Sequence, residues 1–267
     1  MNNPESEFIE RYALEDMHNA ADESDIQSLG LASHTIGAAF VSLASQLPSS
    51  AIVINRVLGL GLGTEAAREE INRLVSIYRE CNVGRYFVQL HPKHQPAQVK
   101  GWLKDEGLRI GRGWQKFSRG SKPIVASKSN LSVREIDQRH GREFGCIVCD
   151  AFDLGDKTIP WLAKLPARPD WHIFMSFEDS RPAGVGALYV KDGFGWTDFG
   201  ATAPAFRCRG SQGALMSARL ERALDLGCKK IFTCTGVSVP GDPQHSYSNI
   251  LKAGFSEEYV RENYELF

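Results

Sequence analysis

A run with two arginines and two glycines constrains the fold of this chain more than any other segment. The run is Arg207-Cys208-Arg209-Gly210-Ser211-Gln212-Gly213-Ala214. Residues 196–202 before it are predicted to form a strand. After it, residues 214–226 are predicted to form an amphipathic helix, because apolar residues recur there with the helical period. Those residues are Met216, Leu220, Ala223 and Leu224, and Gly227 ends the helix.

A turn from a strand into a helix is a favourable place for an anion. The first backbone N–H groups of the helix have no partner within it, and the helix dipole adds partial positive charge there. Glycines let a ligand approach the backbone closely, and arginines add charge-assisted hydrogen bonds. Since residues 207–214 contain no carboxylate, the sequence predicts an anion site, with a solvated basic helix start as the alternative.

The same residues resemble the GCN5-related N-acetyltransferases (GNAT), whose signature is Q/R-x-x-G-x-G/A. Arg207 and Gly210 match the signature, and Gln212 stands where the family has Gly or Ala. The flanking order is also similar to that family. A proline follows the strand, residues 229–235 read as the next strand, residues 246–255 as a last helix ending in Gly-Phe, and residues 259–266 as a closing strand.

The resemblance implies a mixed α/β fold with a central mixed β-sheet flanked by helices, and it implies N-acetyl transfer from acetyl-CoA to a primary amine by direct attack. The turn would hold the pyrophosphate, and the edge of the preceding strand would hold the pantetheine arm as an added strand. No metal is expected. The cofactor-binding residues implied are Ala201, Thr202, Arg207, Cys208, Arg209, Gly210, Ser211, Gln212, Gly213, Ala214 and Asn249.

The catalytic residues are less well marked in the sequence. Many members of the family carry a glutamate on the strand before the turn, and Trp196 stands there, so Asp198 is the nearest candidate base. The usual tyrosine position in the last helix is Ile250, and Tyr247 is the candidate acid. Asp198 could instead be a structural strand residue, and Tyr247 a packing residue. A non-catalytic acyl-CoA-binding or regulatory module is therefore the alternative function.

The first half repeats the order strand, glycine turn, helix, strand, helix, strand, but its turn, Gly59-Leu60-Gly61-Leu62-Gly63, carries no arginine. A dinucleotide fingerprint would need glycine where Thr64 stands. We interpret the chain as a tandem protein with a degenerate GNAT-like domain at 1–120, a linker at 121–128 and an acetyltransferase domain at 129–267. Within the first half we expect strands at 50–58 and 83–90.

Composition limits the other possibilities. Lys plus Arg total 31 against 32 for Asp plus Glu, a net charge of −1, which argues against nucleic-acid or membrane partners. The polar N-terminus and the lack of a long apolar run predict a cytoplasmic protein, monomer or homodimer. Cys146-x-x-Cys149 is expected to pack in the core, and His91-x-x-His94 is expected to lie in a surface loop. Four aromatic residues are candidates either for an acceptor pocket or for the core: Trp161, Trp171, Tyr189 and Trp196.

Overall fold

The computed structural model describes residues 4–125, 127–241 and 243–266. The described residues form two compact units. One contains the chain up to Gln115 together with the residues from Tyr259 onward, and the other runs from Lys116 to Glu258. Over these residues, no helix is both long enough and apolar enough to cross a membrane.

The first unit is a mixed sheet with helices. Its elements are α1 (Glu5–Asn19), α2 (Glu23–Leu29), β1 (Leu31–Ile36), β2 (Ala39–Ala44), β3 (Arg56–Leu58), α3 (Arg68–Glu80), β4 (Phe87–Leu90), α4 (Val99–Asp105), β5 (Leu108–Ile110) and β12 (Ser256–Leu266), and the chain passes into the second unit within β6 (Trp114–Arg119). Strands β1 and β2 and then β2 and β3 pair antiparallel, β3 and β4 pair parallel, and β4 pairs antiparallel with β12, which also pairs with β5.

The second unit is also mixed, in the strand order β6-β11-β10-β9-β8-β7. Strands β7 to β10 form antiparallel pairs in sequence order, and β10 pairs parallel with β11. Its elements are β7 (Ser132–Ile136), α5 (Gly141–Phe152), α6 (Ile159–Leu162), β8 (Trp171–Glu178), β9 (Arg181–Lys191), β10 (Phe194–Thr202), α7 (Ser211–Asp225), β11 (Lys230–Gly236) and α8 (His245–Lys252). The predicted fold class, mixed sheets flanked by helices, is confirmed.

The elements around the arginine run form where the sequence predicts them. Helix α7 buries Met216, Leu220 and Ala223 in a cluster with Leu188 and Ile231, because apolar side chains at helical spacing share the face that packs on the sheet.

The first unit departs from the sequence-based prediction. The antiparallel pair β1–β2 was not predicted. The strand predicted at 50–58 is reduced to β3, since residues 52–55 form a turn, and the strand predicted at 83–90 begins only at Phe87. Thr64, a residue type typical of helix N-caps, is exposed and does not begin the helix, since α3 begins after Ala67. Local pattern could not separate a buried turn from a buried strand here.

The four aromatic residues left open between acceptor pocket and core are all buried in the second unit, none more than 3% exposed. Trp171 packs against Tyr189 with ring centroids 5.2 Å apart. Their place is the core.

The boundaries of the two compact units differ from those of the domains predicted from the sequence. The domain boundaries stay a prediction. Residues 116–120 and the described part of the predicted linker lie in the second unit, and the described residues after Glu258 lie in the first. Some residues of these predicted domains lie outside the described residues. They are Met1, Asn2, Asn3, Ala126 of the linker, Asp242 and Phe267.

Candidate functional site

Strands β10 and β11 separate part-way along their length. They pair from Phe194 opposite Lys230 to Trp196 opposite Phe232, and beyond these residues no further pair joins them among the described residues. The register between β10 and β9 shifts between Asp198 and Ala201. Phe199 lies in this bulge with φ +47, and a bulge of this kind bends a strand away from its neighbour.

A cavity of about 150 Å³ lies where the two strands separate, wholly within the second unit. It is lined by the bulge of β10, the end of β11, the first two turns of α7, part of α8 and one residue of α5. The lining residues are Phe152, Thr197, Asp198, Phe199, Gly200, Gln212, Met216, Arg219, Thr233, Cys234, Thr235, Ser246, Asn249 and Ile250.

The arginine run lies next to this cavity, at the start of α7. Gly210 is the N-cap residue in the left-handed region, with φ +79, and no side chain caps the helix. The first amides of α7 are therefore not satisfied by a side-chain cap, and they carry the positive end of the dipole of a fifteen-residue helix. Arg207 is exposed and has no ion pair among the described residues.

Arg209 is not an uncompensated charge, contrary to what the absence of acidic residues in the turn indicates. Its Nη2 donates to Glu178 Oε1 at 2.5 Å. Glu178 lies at the end of β8, far from the turn in sequence, and the bond to Arg209 lowers the pKa of its carboxyl. Of the two arginines, Arg207 has the guanidinium that is available to a ligand.

The two glycines of the turn have a structural neighbour that the sequence did not indicate. A Cβ at Gly210 would lie 2.3 Å from the backbone oxygen of Lys128, and one at Gly213 would lie 2.1 Å from Ser127 Oγ. Ser129 Oγ also donates to the Arg209 carbonyl at 2.9 Å. The glycines are therefore needed for the close approach of residues 127–129, whatever ligand the turn binds.

The end of β10 and the start of α7 are joined by a side-chain hydrogen bond. Gln212 Nε2 donates to Thr202 Oγ1 at 2.8 Å, and a Cβ at Gly200 would lie 2.9 Å from Gln212 Oε1. Ala201 is buried beside Thr202. The glutamine that departs from the family signature thus lies over the strand edge and lines the cavity.

The structure brings one of the two candidate catalytic residues to the cavity. Asp198 lines it, with Oδ2 accepting from Trp196 Nε1 at 3.0 Å and Oδ1 from the Phe199 amide at 2.8 Å. Tyr247 is not among the lining residues, and its hydroxyl donates to Glu257. Burial, and then the bond to Glu257, raise the pKa of Tyr247 to about 12. Its neighbours Ser246 and Asn249 do line the cavity.

Arg219 is a cavity residue that the sequence analysis did not single out. It lies on α7 and is 2% exposed. Its Nε donates to the Leu215 carbonyl at 3.1 Å, and its Nη1 donates to the carbonyls of Ala187 at 3.4 Å and Asp198 at 3.1 Å. One signal was present in the sequence: an arginine adjoins Leu220 on the face of α7 predicted to be apolar.

The corresponding turn in the first unit is filled by the chain itself. The Gln95 amide donates to the Gly61 carbonyl at 2.7 Å, and the Ala66 amide donates to the Gln95 carbonyl at 2.8 Å. A Cβ at Gly61 would lie 2.4 Å from that same carbonyl oxygen. This packing gives the glycines of the first half a structural role.

Two short motifs are candidates for metal or redox sites. The described residues contain no group of three or more His, Cys, Asp or Glu side chains placed to hold a metal ion. The expectation of a surface loop at His91 and His94 is wrong, because both histidines are buried. Burial, and then the neighbouring Cys146, raise the pKa of the Cys149 thiol to about 12, so it is a poor nucleophile at neutral pH.

Comparison with known proteins agrees with this geometry. A sequence model of the acetyltransferase (GNAT) family matches residues 139–245, which include the bulge of β10, the arginine run and β11. No protein with a curated description matches the chain.

Solved structures match nearly the whole chain. A GCN5-related N-acetyltransferase from Kribbella flavida aligns with a TM-score of 0.60 at 11% identity, covering 93% of this chain and 94% of that one. A tandem GNAT protein from the clavulanic acid biosynthesis pathway aligns with a TM-score of 0.57 at 12% identity, covering 99% and 95%. A putative GNAT acetyltransferase from Novosphingobium aromaticivorans gives 0.56 at 12% identity, covering 92% and 97%.

At these identities the structural matches establish the fold, and the match to the family model is limited to residues 139–245. Residues 139–245 therefore form a domain of the GNAT acetyltransferase family, in a chain that has the tandem GNAT fold over nearly its whole length.

Proposed function

We propose that the second unit is an N-acyltransferase that uses acetyl-CoA as its donor and a primary amine, on a small molecule or a peptide, as its acceptor. One observation carries the proposal: the cavity between β10 and β11 adjoins the uncapped N-terminus of α7 and the exposed Arg207. A phosphate-bearing ligand with a long thin arm fits that arrangement, because its anionic end meets amides and a cation while its arm enters the cavity.

The residues of the turn would divide the binding between them. The amides from Cys208 to Gly213 would face a pyrophosphate at the positive end of α7, with Ala214 beside them although its own amide donates to the Gly210 carbonyl, and Arg207 would supply a charge-assisted bond. Ala201 and Thr202 offer the edge of β10 to the pantetheine amides, with Gln212 held beside them by its bond to Thr202. Asn249 would contact the thiol end from α8, since it lines the same cavity.

Direct attack of the amine on the thioester needs a proton acceptor, a stabilised oxyanion and a proton for the departing thiolate. A backbone amide near the bulge of β10 would bind the oxyanion. Asp198 is the carboxylate nearest to that position and would accept the proton of the amine. Tyr247 would donate the proton to the departing thiolate. For this its hydroxyl must leave its hydrogen bond to Glu257 and turn toward the sulfur.

A non-catalytic acyl-CoA-binding or regulatory module is the second candidate, and the state of these side chains favours it specifically. The Asp198 carboxylate already accepts two hydrogen bonds, and the Tyr247 hydroxyl is bonded away from the cavity. This candidate predicts CoA binding without acceptor-stimulated release of CoA over a broad panel of amines.

Calorimetric titration with acetyl-CoA tests the proposal, with NADH as the parallel control ligand. We expect micromolar binding of acetyl-CoA only. Replacing Arg207 by alanine should weaken it about tenfold or more, since one charge-assisted bond contributes about 1.5–3 kcal/mol. Arg209→Ala should weaken it less, because Arg209 is shared with Glu178. Unchanged affinity in the double variant would remove the site assignment.

The surroundings of the reaction are inferred from composition and cysteine state. None of the six cysteines, all of which lie among the described residues, forms a disulfide, as in a reducing compartment. We therefore propose cytoplasmic action, as a monomer or homodimer, with no nucleic-acid or membrane partner and no metal.

A further inference from the structure

Arg219 is a buried cation that lines the cavity. The residue is only 2% exposed. Burial lowers the pKa of the guanidinium to about 10, so it keeps its charge at neutral pH. Removing such a charge from water is expensive unless a partner compensates for it.

The partners of Arg219 within the protein are neutral. Its Nε and Nη1 donate to three backbone carbonyls, of Leu215, Ala187 and Asp198. No carboxylate of the described residues forms an ion pair with it, and Nη2 has no hydrogen-bond partner among them. The guanidinium therefore retains Nη2 as a donor, and the one charged group that lines the cavity beside it is Asp198, which forms no ion pair with it among the described residues.

The Asp198 carboxylate does not fill this role. Tyr189 is the cross-strand partner of Trp196, and Leu188 that of Thr197, so side chains alternate between the two faces of the sheet. Leu188 packs with the residues of α7, which places Trp196 and the carboxylate bonded to it on the face away from α7. The Asp198 carbonyl accepts from Arg219, and the charge of the Asp198 carboxylate acts to raise the pKa of the guanidinium.

The protein makes room for this guanidinium. A Cβ at Gly186 would lie 2.8 Å from Arg219 Cζ, and a Cβ at Gly200 would lie 3.7 Å from Arg219 Nη2. Gly186 on β9 and Gly200 on β10 thus leave space that alanine would take. The space above Gly200 is bounded on one side by Arg219 Nη2, a donor, and on the other by Gln212 Oε1, an acceptor.

We propose that Arg219 selects the acyl group, and that the cavity binds an acyl-CoA whose acyl chain ends in a carboxylate, such as the monothioester of a short dicarboxylic acid, in preference to acetyl-CoA. The inference rests on the proposed function and refines its donor. An acetyl group brings no negative charge to the guanidinium. A terminal carboxylate would supply that charge.

The first experiment compares CoA, acetyl-CoA, butyryl-CoA and succinyl-CoA by calorimetric titration of the wild-type chain. Butyryl-CoA has the same chain length as succinyl-CoA without the charge. We expect succinyl-CoA to bind at least about tenfold more tightly than butyryl-CoA, a difference of about 1.4 kcal/mol. Equal affinity for the two would overturn the inference while leaving the CoA site intact. Failure of all four to bind would instead remove the proposed function.

The second experiment uses Arg219→Met, which keeps the length of the side chain and removes the charge. Arg222→Met is the matched control, because Arg222 lies on the same helix, pairs with Glu135 and is absent from the cavity lining. We expect the preference for succinyl-CoA to be lost in the Arg219 variant and kept in the control. A preference that survives Arg219→Met would overturn the inference. If Arg219→Met does not fold, Arg219→Lys takes its place. Lysine keeps the positive charge, so this variant should retain part of the preference for succinyl-CoA over butyryl-CoA that the wild-type chain shows, and a complete loss of that preference would overturn the inference.

Discussion

Replacing Gly210 by alanine tests how the turn before α7 is built. Gly210 has φ +79, and a Cβ there would lie 2.3 Å from the backbone oxygen of Lys128. Alanine would therefore meet two penalties at this position. One is the left-handed conformation itself, and the other is the collision with a carbonyl that cannot rotate away as a side chain can.

The expected loss of stability follows from these two effects. The left-handed region costs alanine about 1–2 kcal/mol. Forcing the Lys128 carbonyl aside by about 1 Å resembles the overpacking of a filled site, which costs about 1–3 kcal/mol. Alanine recovers about 0.4–1 kcal/mol because it restricts the unfolded chain. We expect a net loss of about 3 kcal/mol.

Gly227, after the end of α7, is the matched control. Its φ is +76, almost that of Gly210, but a Cβ there would have no atom within 4 Å. Gly227→Ala should therefore lose only about 1 kcal/mol, from the left-handed conformation alone. The difference between the two variants isolates the contact with residues 127–129.

The assay is urea unfolding followed by tryptophan fluorescence, with amide hydrogen exchange of α7 to locate the effect. A lower midpoint at unchanged slope reports stability rather than altered compactness. If Gly210→Ala and Gly227→Ala lose the same free energy, the segment 127–129 does not pack on the turn as the structure has it.

Two further predictions concern the first unit. Burial lowers the pKa of His18 from 6.5 to about 4, so the unfolded state binds the proton more readily. Stability should then be full above pH 6.5 and fall by at most about 3 kcal/mol as the pH decreases to 4. Unfolding of His18→Gln between pH 4 and 7 should show a correspondingly flatter pH dependence, and an identical profile would contradict the burial argument. Arg261 is fully buried and pairs with Glu7 and Glu10. Arg261→Met should lower the free energy of unfolding by about 3–5 kcal/mol by leaving those charges undercompensated. Lys100→Gln, which breaks an exposed pair, should cost at most about 1 kcal/mol. Similar urea midpoints for Arg261→Met and Lys100→Gln would contradict the expectation that the buried ion pairs stabilise the fold more than the exposed one.

Much of the second unit could be predicted from the sequence because its signals are local. The apolar period of α7, the glycine at its N-cap and the strand before it all depend on residues close together in the chain. The family signature lies in the same stretch. The first unit gave weaker signals, and the turn at residues 52–55 was mistaken for a strand because a short buried apolar run fits either one.

Tertiary structure decided what the charged residues of the site do. The partner of Arg209, Glu178, lies on β8, and the neighbour of Gly210 is Lys128; nothing in the spacing of the sequence indicates either contact. The one sign of Arg219 in the sequence is that a charged residue lies on the face of α7 that is otherwise apolar. The sequence by itself determined the strand, the turn and the helix, because backbone preference and side-chain period act over a few residues. Which charge is compensated and which faces the cavity was decided by the packing of distant strands, because electrostatic balance depends on distance in space.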